Sequence, residues 1–408
     1  MKRQLAFPLL FAACSLAHAQ SSVTLYGIVD LGITYANSVQ TGTVAGKHNG
    51  ASQIAMADGH SSGLGGSRWG LRGAEDLGGG LKAIFVLENG FFANTGALAQ
   101  GGAEFGRQSY VGLASSTWGK VTLGRQYDPY IESVQQFAAT SAFAGYMGAH
   151  ASDLDNLANT ARINNSIKFT TADYSGFVAG GIYSLGGVAG DATRNQVWAL
   201  GANYSHGPFA VGLGYLNARD PNVSFYGNTP NKGVATVNNI GSFGSATTPQ
   251  MVPAYAGYAS ANSLEIAGVG AKYSWDATTV GLVVTDTRFS RLGSTEAPNP
   301  RHYTGNANFV SAELNLRTFV TPALSLGAAF DYIKRNSVNG DGGAKYLQLD
   351  LGAIYSLSKR TDLYALSVLQ RTSGVDSLGQ QAVASISGFT PSATDKQVAA
   401  RAGIRHKF

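Results

Sequence analysis

Polar and apolar positions alternate through most of this chain. In VTLYGIVDLGITY, Val23, Leu25, Val29, Leu31, Ile33 and Tyr35 share one parity, while Thr24, Tyr26, Asp30 and Thr34 take the other. A period of two marks a strand with one greasy and one wet face. KYLQLDLGAIYSL repeats it, with Leu347, Leu349, Leu351, Ala353 and Tyr355 opposing Gln348, Asp350 and Ser356. So does FVSAELNLRTF, where Val310, Ala312, Leu314 and Leu316 oppose Ser311, Glu313, Asn315 and Arg317. In the stretch that runs to RAGIRHKF, Val398, Ala400, Ala402 and Ile404 oppose Arg401, Arg405 and Lys407. Runs of about ten to thirteen residues are long enough for a tilted strand to cross a bilayer. A charge facing lipid at mid-membrane costs ~2–4 kcal/mol, so Glu313, Arg317 and Asp350 are expected to point into a lumen. DLYALSVLQ is apolar on both parities and does not orient itself.

The connections sharpen this picture. Tight turns are expected at 75–80, 115–119, 173–176, 205–208, 274–277, 320–322 and 356–360. Between them fall longer polar segments near 37–60, 94–104, 128–162, 187–194, 220–263, 291–306, 336–344 and 373–396. Seven turns and eight loops join sixteen strands. Short connections on one side and long ones on the other are the pattern of outer-membrane barrels. An even count lets the first and last strands pair and removes the sheet edge. Sixteen strands enclose an aqueous channel. The expected fold is therefore all-β, a transmembrane 16-stranded antiparallel β-barrel.

Composition agrees. Charged residues make up 13% of the chain, against roughly 25% in ordinary soluble domains. The chain has 53 glycines, 11 prolines, 19 tyrosines and 19 phenylalanines. Beyond the leader, no apolar run reaches the ~18 residues of a membrane helix. Met1-Lys2-Arg3, the apolar stretch after it and Ala17-His18-Ala19 read as a secretory signal peptide over 1–19, leaving 20–408 as a single barrel domain. Its removal takes away Cys14, so no disulfide is expected, and lowers the formal charge from +5 to +3.

Four blocks, SSVTLYGIVDLGI, SRWGLRGAEDLGGGLKAIFVLENGF, GRQSYVGLASSTWGKVTLGRQYDP and GIRHKF, resemble the general porins of betaproteobacteria, of the neisserial and Burkholderia type. The resemblance implies a homotrimer in outer-membrane lipid, passing small hydrophilic solutes and inorganic ions. It also implies a long third loop, about 128–162, folded into each pore.

Candidate pore residues follow from both lines. Trp69 and Leu71 face one way, which sends Arg68 and Arg72 into the lumen; Leu81, Ala83, Phe85 and Leu87 likewise send Lys82 and Glu88 inward. By resemblance, Arg68, Arg107 and Arg162 match the family's arginine ladder, with Glu88 as the carboxylate beside it. Arg107 shares parity with Val111 and Leu113, so alternation alone places it on the wrong face unless a bulge intervenes. The loop supplies Asp128, Glu132, Asp153 and Asp155 as acidic candidates. Guanidinium groups stay charged and suit carboxylate and phosphate, and rings of them favour anions, so the expectation is a water-filled channel with anion preference. Phe408 is expected to close the barrel at the membrane edge. Competing readings are a channel selective for small sugars or carboxylates, with Tyr127, Tyr130, Phe137, Phe143 and Tyr146 as a stacking track, and a surface adhesin. The histidines show no spacing for a metal or a nucleophile, so no enzyme, cofactor or metal is expected, nor a nucleic-acid partner.

Overall fold

The computed structural model describes residues 22–44, 47–224, 238–245 and 247–408. The expected leader lies outside these residues, as does part of the 220–263 segment. No helix among them is long and apolar enough to cross a membrane, so any crossing is made by strands.

One antiparallel sheet accounts for the wall. Its strands are β1 (Ser22–Val44), β2 (Lys47–Asp58), β3 (Arg68–Gly78), β4 (Leu81–Gly90), β5 (Gln108–Ser115) and β6 (Gly119–Gln126). They continue with β7 (Ile163–Thr170), β8 (Phe177–Ser184), β9 (Val197–His206), β10 (Phe209–Arg219), β11 (Ser263–Trp275) and β12 (Thr278–Leu292). The last are β13 (Gly305–Phe319), β14 (Leu324–Arg335), β15 (Ala344–Ser356), β16 (Thr361–Gly374) and β17 (Lys396–Lys407). Consecutive strands pair except β2 and β3, which both pair with β1, and β17 also pairs with β1 from Ile28↔Lys407 to Ala36↔Ala399, which closes the barrel.

Seventeen segments make sixteen wall positions. β2 pairs with the far half of β1 (Leu31–Val44) and β3 with its near half (Ser22–Ile28), so the two lie end to end along one edge. Between them, residues 59–67 leave the wall, beginning with the helical turn Gly59–Ser62 capped by the Asp58 side chain. This corrects the expected loop at 37–60, most of which is a long hairpin. The seven expected turns all fall at strand junctions.

The alternation places side chains as expected. On β13, Leu314 is 57% exposed on the outside while Glu313 beside it is fully buried. DLYALSVLQ breaks the pattern for a visible reason: its inward Leu366 and Val368 pack in an apolar cluster with Phe143, Met147 and Ile386 from loops inside the wall. Phe408 and Gly27 exchange main-chain hydrogen bonds at 3.0 Å in both directions. A Cβ at Gly27 would lie 2.3 Å from the Phe408 ring, so glycine is required there.

Candidate pore site

The segment 127–162, between β6 and β7, lies against the inward positions of β8 to β15. It opens with a helix, Pro129–Val134, capped by Asp128, whose side chain accepts from the Ile131 amide, with Pro at the start as helix geometry favours. The wall makes room with glycine: a Cβ at Gly201 would sit 2.1 Å from the Pro129 carbonyl oxygen, and one at Gly327 would sit 2.2 Å from the Phe143 ring. Inward polar side chains hold the segment's backbone. Glu313 accepts from the Ala139 amide at 2.7 Å, Asn315 donates to the Phe137 carbonyl at 2.7 Å, and Gln348 donates to that of Ala149 at 3.2 Å. The 59–67 insertion meets the segment from the opposite side, where Tyr146 donates its amide to the Gly63 carbonyl.

Between insertion and segment lies a cavity of about 700 Å³, into which Arg68, Arg107 and Arg162 all face. Arg107 Nε donates to Glu88 Oε1 at 2.7 Å and its Nη2 to the Tyr127 hydroxyl at 2.7 Å. Tyr127 donates in turn to the same carboxylate at 3.0 Å, and Tyr26 to Glu88 Oε2 at 2.9 Å. The Arg162 guanidinium stands 5.4 Å from the centre of the Tyr127 ring, within cation–π range. Burial, and then the charge of Arg107, lower Arg162 to about 10, which leaves it a cation at neutral pH. Arg107 reaches the lumen without a bulge in its strand: β5 begins at Gln108, so Arg107 precedes the ladder and is free of its parity.

The acidic candidates separate. Glu132 lines the arginine cavity and pairs with Lys168 at 2.5 Å. Asp128 is buried as a helix cap, with burial raising it to about 6. Asp153 is buried, accepting from the Ala158 amide and the Thr160 hydroxyl, and burial followed by the Asp155 charge raises it to about 7. Asp155 pairs with His150. Arg72 stacks 5.5 Å from the Tyr26 ring, nearer the turns, and Lys82 sits on the inner face at the β3–β4 turn opposite Asp76. Neither lines the arginine cavity.

Two features were not legible in the sequence. His60, on the inserted turn, lies 3.4 Å from Arg107 and 3.0 Å from Asp58. Burial lowers it below its ordinary value; the Asp58 hydrogen bond opposes this and the Arg107 charge adds to it. Beyond Leu64, Thr140 and Ser141, a second cavity of about 690 Å³ is lined by Arg317, Lys359, Arg405 and Lys407, with Asp362 paired to Arg405 at 2.7 Å. Alternation had turned the first, third and fourth of these inward without showing that they meet.

A closed sixteen-position barrel with an apolar outer face and a charged lumen defines an outer-membrane channel protein. The chain belongs to the Gram-negative porin family, whose profile matches residues 6–374. Outer membrane porin protein 32 of Delftia acidovorans is 30% identical over the full length of both chains. An outer membrane porin protein of Bordetella pertussis is 38% identical over 239 residues, 53% of this chain and 60% of that one. Among solved structures, an anion-selective porin from Comamonas acidovorans matches with a TM-score of 0.67 at 24% identity, covering 95% of this chain and all of that one. OmpT of Vibrio cholerae, in a trimer form, matches with a TM-score of 0.62 at 13% identity, covering 95% and 99%. At these identities the likeness to the two structures is one of fold.

Proposed function

We propose that this porin is a passive channel for small hydrophilic solutes and ions, that it prefers anions, and that segment 127–162 sets its bore. One observation carries the reading: Arg68, Arg107 and Arg162 converge on one cavity, its lining carboxylate Glu132 is engaged by Lys168, and Glu88, buried behind Arg107, is engaged by that arginine and two tyrosines. The four cations of the second cavity lie beyond Thr140 and Ser141, which line both spaces. An anion leaving one cationic space would enter the other. Two unit charges ~10 Å apart interact by about 0.4 kcal/mol in bulk water and about 1.7 kcal/mol at an effective dielectric of 20. A few such cations in a narrow passage outweigh thermal energy, although the net charge of the chain is small. The stacking-track alternative finds less support: Tyr130, Phe137 and Phe143 are buried against the wall, leaving Tyr127 and Tyr146 on the cavity. The fold likeness to a trimeric porin supports a homotrimer.

Single-channel recording across a salt gradient tests this. Conductance in steps of three with an anion-selective reversal potential supports the reading. Folded barrels that carry no current, or that prefer cations, would overturn it.

A further inference from the structure

Between segment 127–162 and the inner faces of β12 to β15, four carboxylates, three from β13 to β15 and Asp155 from the segment, gather around one imidazole. Asp155, Glu313, Asp331 and Asp350 are all fully buried, and His150 is 2% exposed. Among the described residues no lysine or arginine ion-pairs with these carboxylates; His150 is their one cationic partner. Four buried carboxylates around a single imidazole need further positive charge, from protons or from a metal.

The hydrogen bonds are arranged as a metal centre requires. His150 Nδ1 donates to Asp155 Oδ2 at 2.5 Å, and that oxygen also accepts from the Thr285 hydroxyl at 2.7 Å. With Nδ1 carrying its proton, Nε2 is the nitrogen free to ligate. This is the carboxylate–histidine–metal arrangement that fixes both tautomer and ring orientation. Glu313 uses Oε1 to accept from the Ala139 amide and from Asn315, and its Oε2 has no hydrogen-bond partner. Asp331 uses Oδ2 to accept from Gln348, and its Oδ1 has no hydrogen-bond partner. The three free atoms converge: His150 Nε2 lies 3.4 Å from Glu313 Oε2 and 3.8 Å from Asp331 Oδ1, and all three fall within 4.8 Å of one another.

The 3.4 Å approach is longer than a charge-assisted hydrogen bond and within the spacing of ligands on a metal, and the 3.8 Å approach lies slightly beyond both. A charge-assisted N–H···O bond closes to ~2.7–2.9 Å. Ligands ~2.0–2.2 Å from a tetrahedral zinc ion stand roughly 3.3–3.6 Å apart. Asp350, neither of whose oxygens has a partner within hydrogen-bond geometry, is the candidate for the fourth position. We propose that His150, Glu313 and Asp331 form a binding site for a divalent transition-metal ion of the zinc class, oriented by Asp155 and Thr285. Each ligand is tied to segment 127–162, since Glu313 holds the Ala139 amide, Gln348 links Asp331 to the Ala149 carbonyl, and His150 belongs to it. The ion would fasten that segment to the wall. The proposal does not depend on ion selectivity.

The test uses the refolded full-length barrel, freed of metal by a chelator and then equilibrated with Zn²⁺ or, as a spectroscopic probe, Co²⁺. Elemental analysis after gel filtration is expected to give one zinc per protomer, and cobalt a tetrahedral ligand-field spectrum. Asp331→Asn and His150→Gln should lose the bound metal, while Asp155→Asn should retain it with affinity weakened roughly 10–100-fold. Heat-shifted gel mobility verifies that each variant folds. Should His150→Gln fail that check, Asp331→Asn and Glu313→Gln carry the comparison. Wild-type protein that retains no more zinc than Asp331→Asn overturns the proposal and assigns the missing positive charge to protons.

Discussion

Two charge clusters of opposite sign face each other across segment 127–162, and they differ in what they border. On the insertion side, Arg68, Arg107 and Arg162 border about 700 Å³ of open space. On the wall side, Asp155, Glu313, Asp331 and Asp350 are sealed. A charge beside water interacts with whatever passes; a sealed charge interacts with its neighbours, and it must find compensation among them. On the proposed reading, the same loop separates groups placed to act on solutes from groups placed to hold the loop.

The comparison predicts a graded set of outcomes. The largest belongs to Arg68→Glu combined with Arg162→Glu, which should turn anion preference into cation preference; an unchanged sign of the reversal potential would break the link between cavity and selectivity. Next is Arg107→Ala. It leaves the Glu88 carboxylate buried without its cation, and breaking such pairs costs on the order of 3 kcal/mol, expected as a lowered urea midpoint of the folded barrel. Gly327→Val drives a side chain into the Phe143 ring and should cost ~1–3 kcal/mol by overpacking, with noisier open-channel current as the segment loses its seat.

A smaller effect concerns Asp376, in the loop between β16 and β17, whose neighbour Ser377 bonds to the Pro253 carbonyl and the Gly257 amide. Burial raises Asp376 to about 7, against hydrogen bonds from Gln380 and Leu378 that lower it. Its folded-state value exceeds the unfolded one, so the ordered loop holds the proton more tightly, and stability falls as pH rises between about 4 and 7. Hydrogen-exchange protection of residues 375–395, corrected for the intrinsic pH dependence of exchange, should be lower at pH 8 than at pH 5, and Asp376→Asn should flatten that slope. The smallest expected change is in the reversal potential of Asp331→Asn, which should match wild type because the carboxylate is screened from the cavity. A shift as large as that of an arginine variant would erase the contrast between the two clusters.

Reading the chain alone took the wall a long way. The seven turns, the inward placement of Glu313, Arg317 and Asp350, and Arg68 and Arg72 on the lumen face follow from parity and from the cost of charge in lipid, both local properties. The site was only partly legible. Parity misplaced Arg107 because the strand starts one residue later, and a count of acids in 128–162 treated as alike groups that the fold divides. Asp128 caps a helix, Asp153 braces the loop, and only Glu132 meets the arginine cavity.

What the sequence determined by itself is the barrel, since alternation, turn spacing and the near absence of charge on one parity leave few other ways to bury a strand. Tertiary structure alone decided that the wall position shared by β2 and β3 is broken by an inward turn carrying His60. It alone decided that a strand apolar on both faces is roofed by Phe143 and Met147. It also decided that His150 meets Glu313 and Asp331 from strands far along the chain. These are contacts across a lumen. Periodicity fixes which side a residue faces, while the identity of its partner depends on how loops fold back inside the closed sheet.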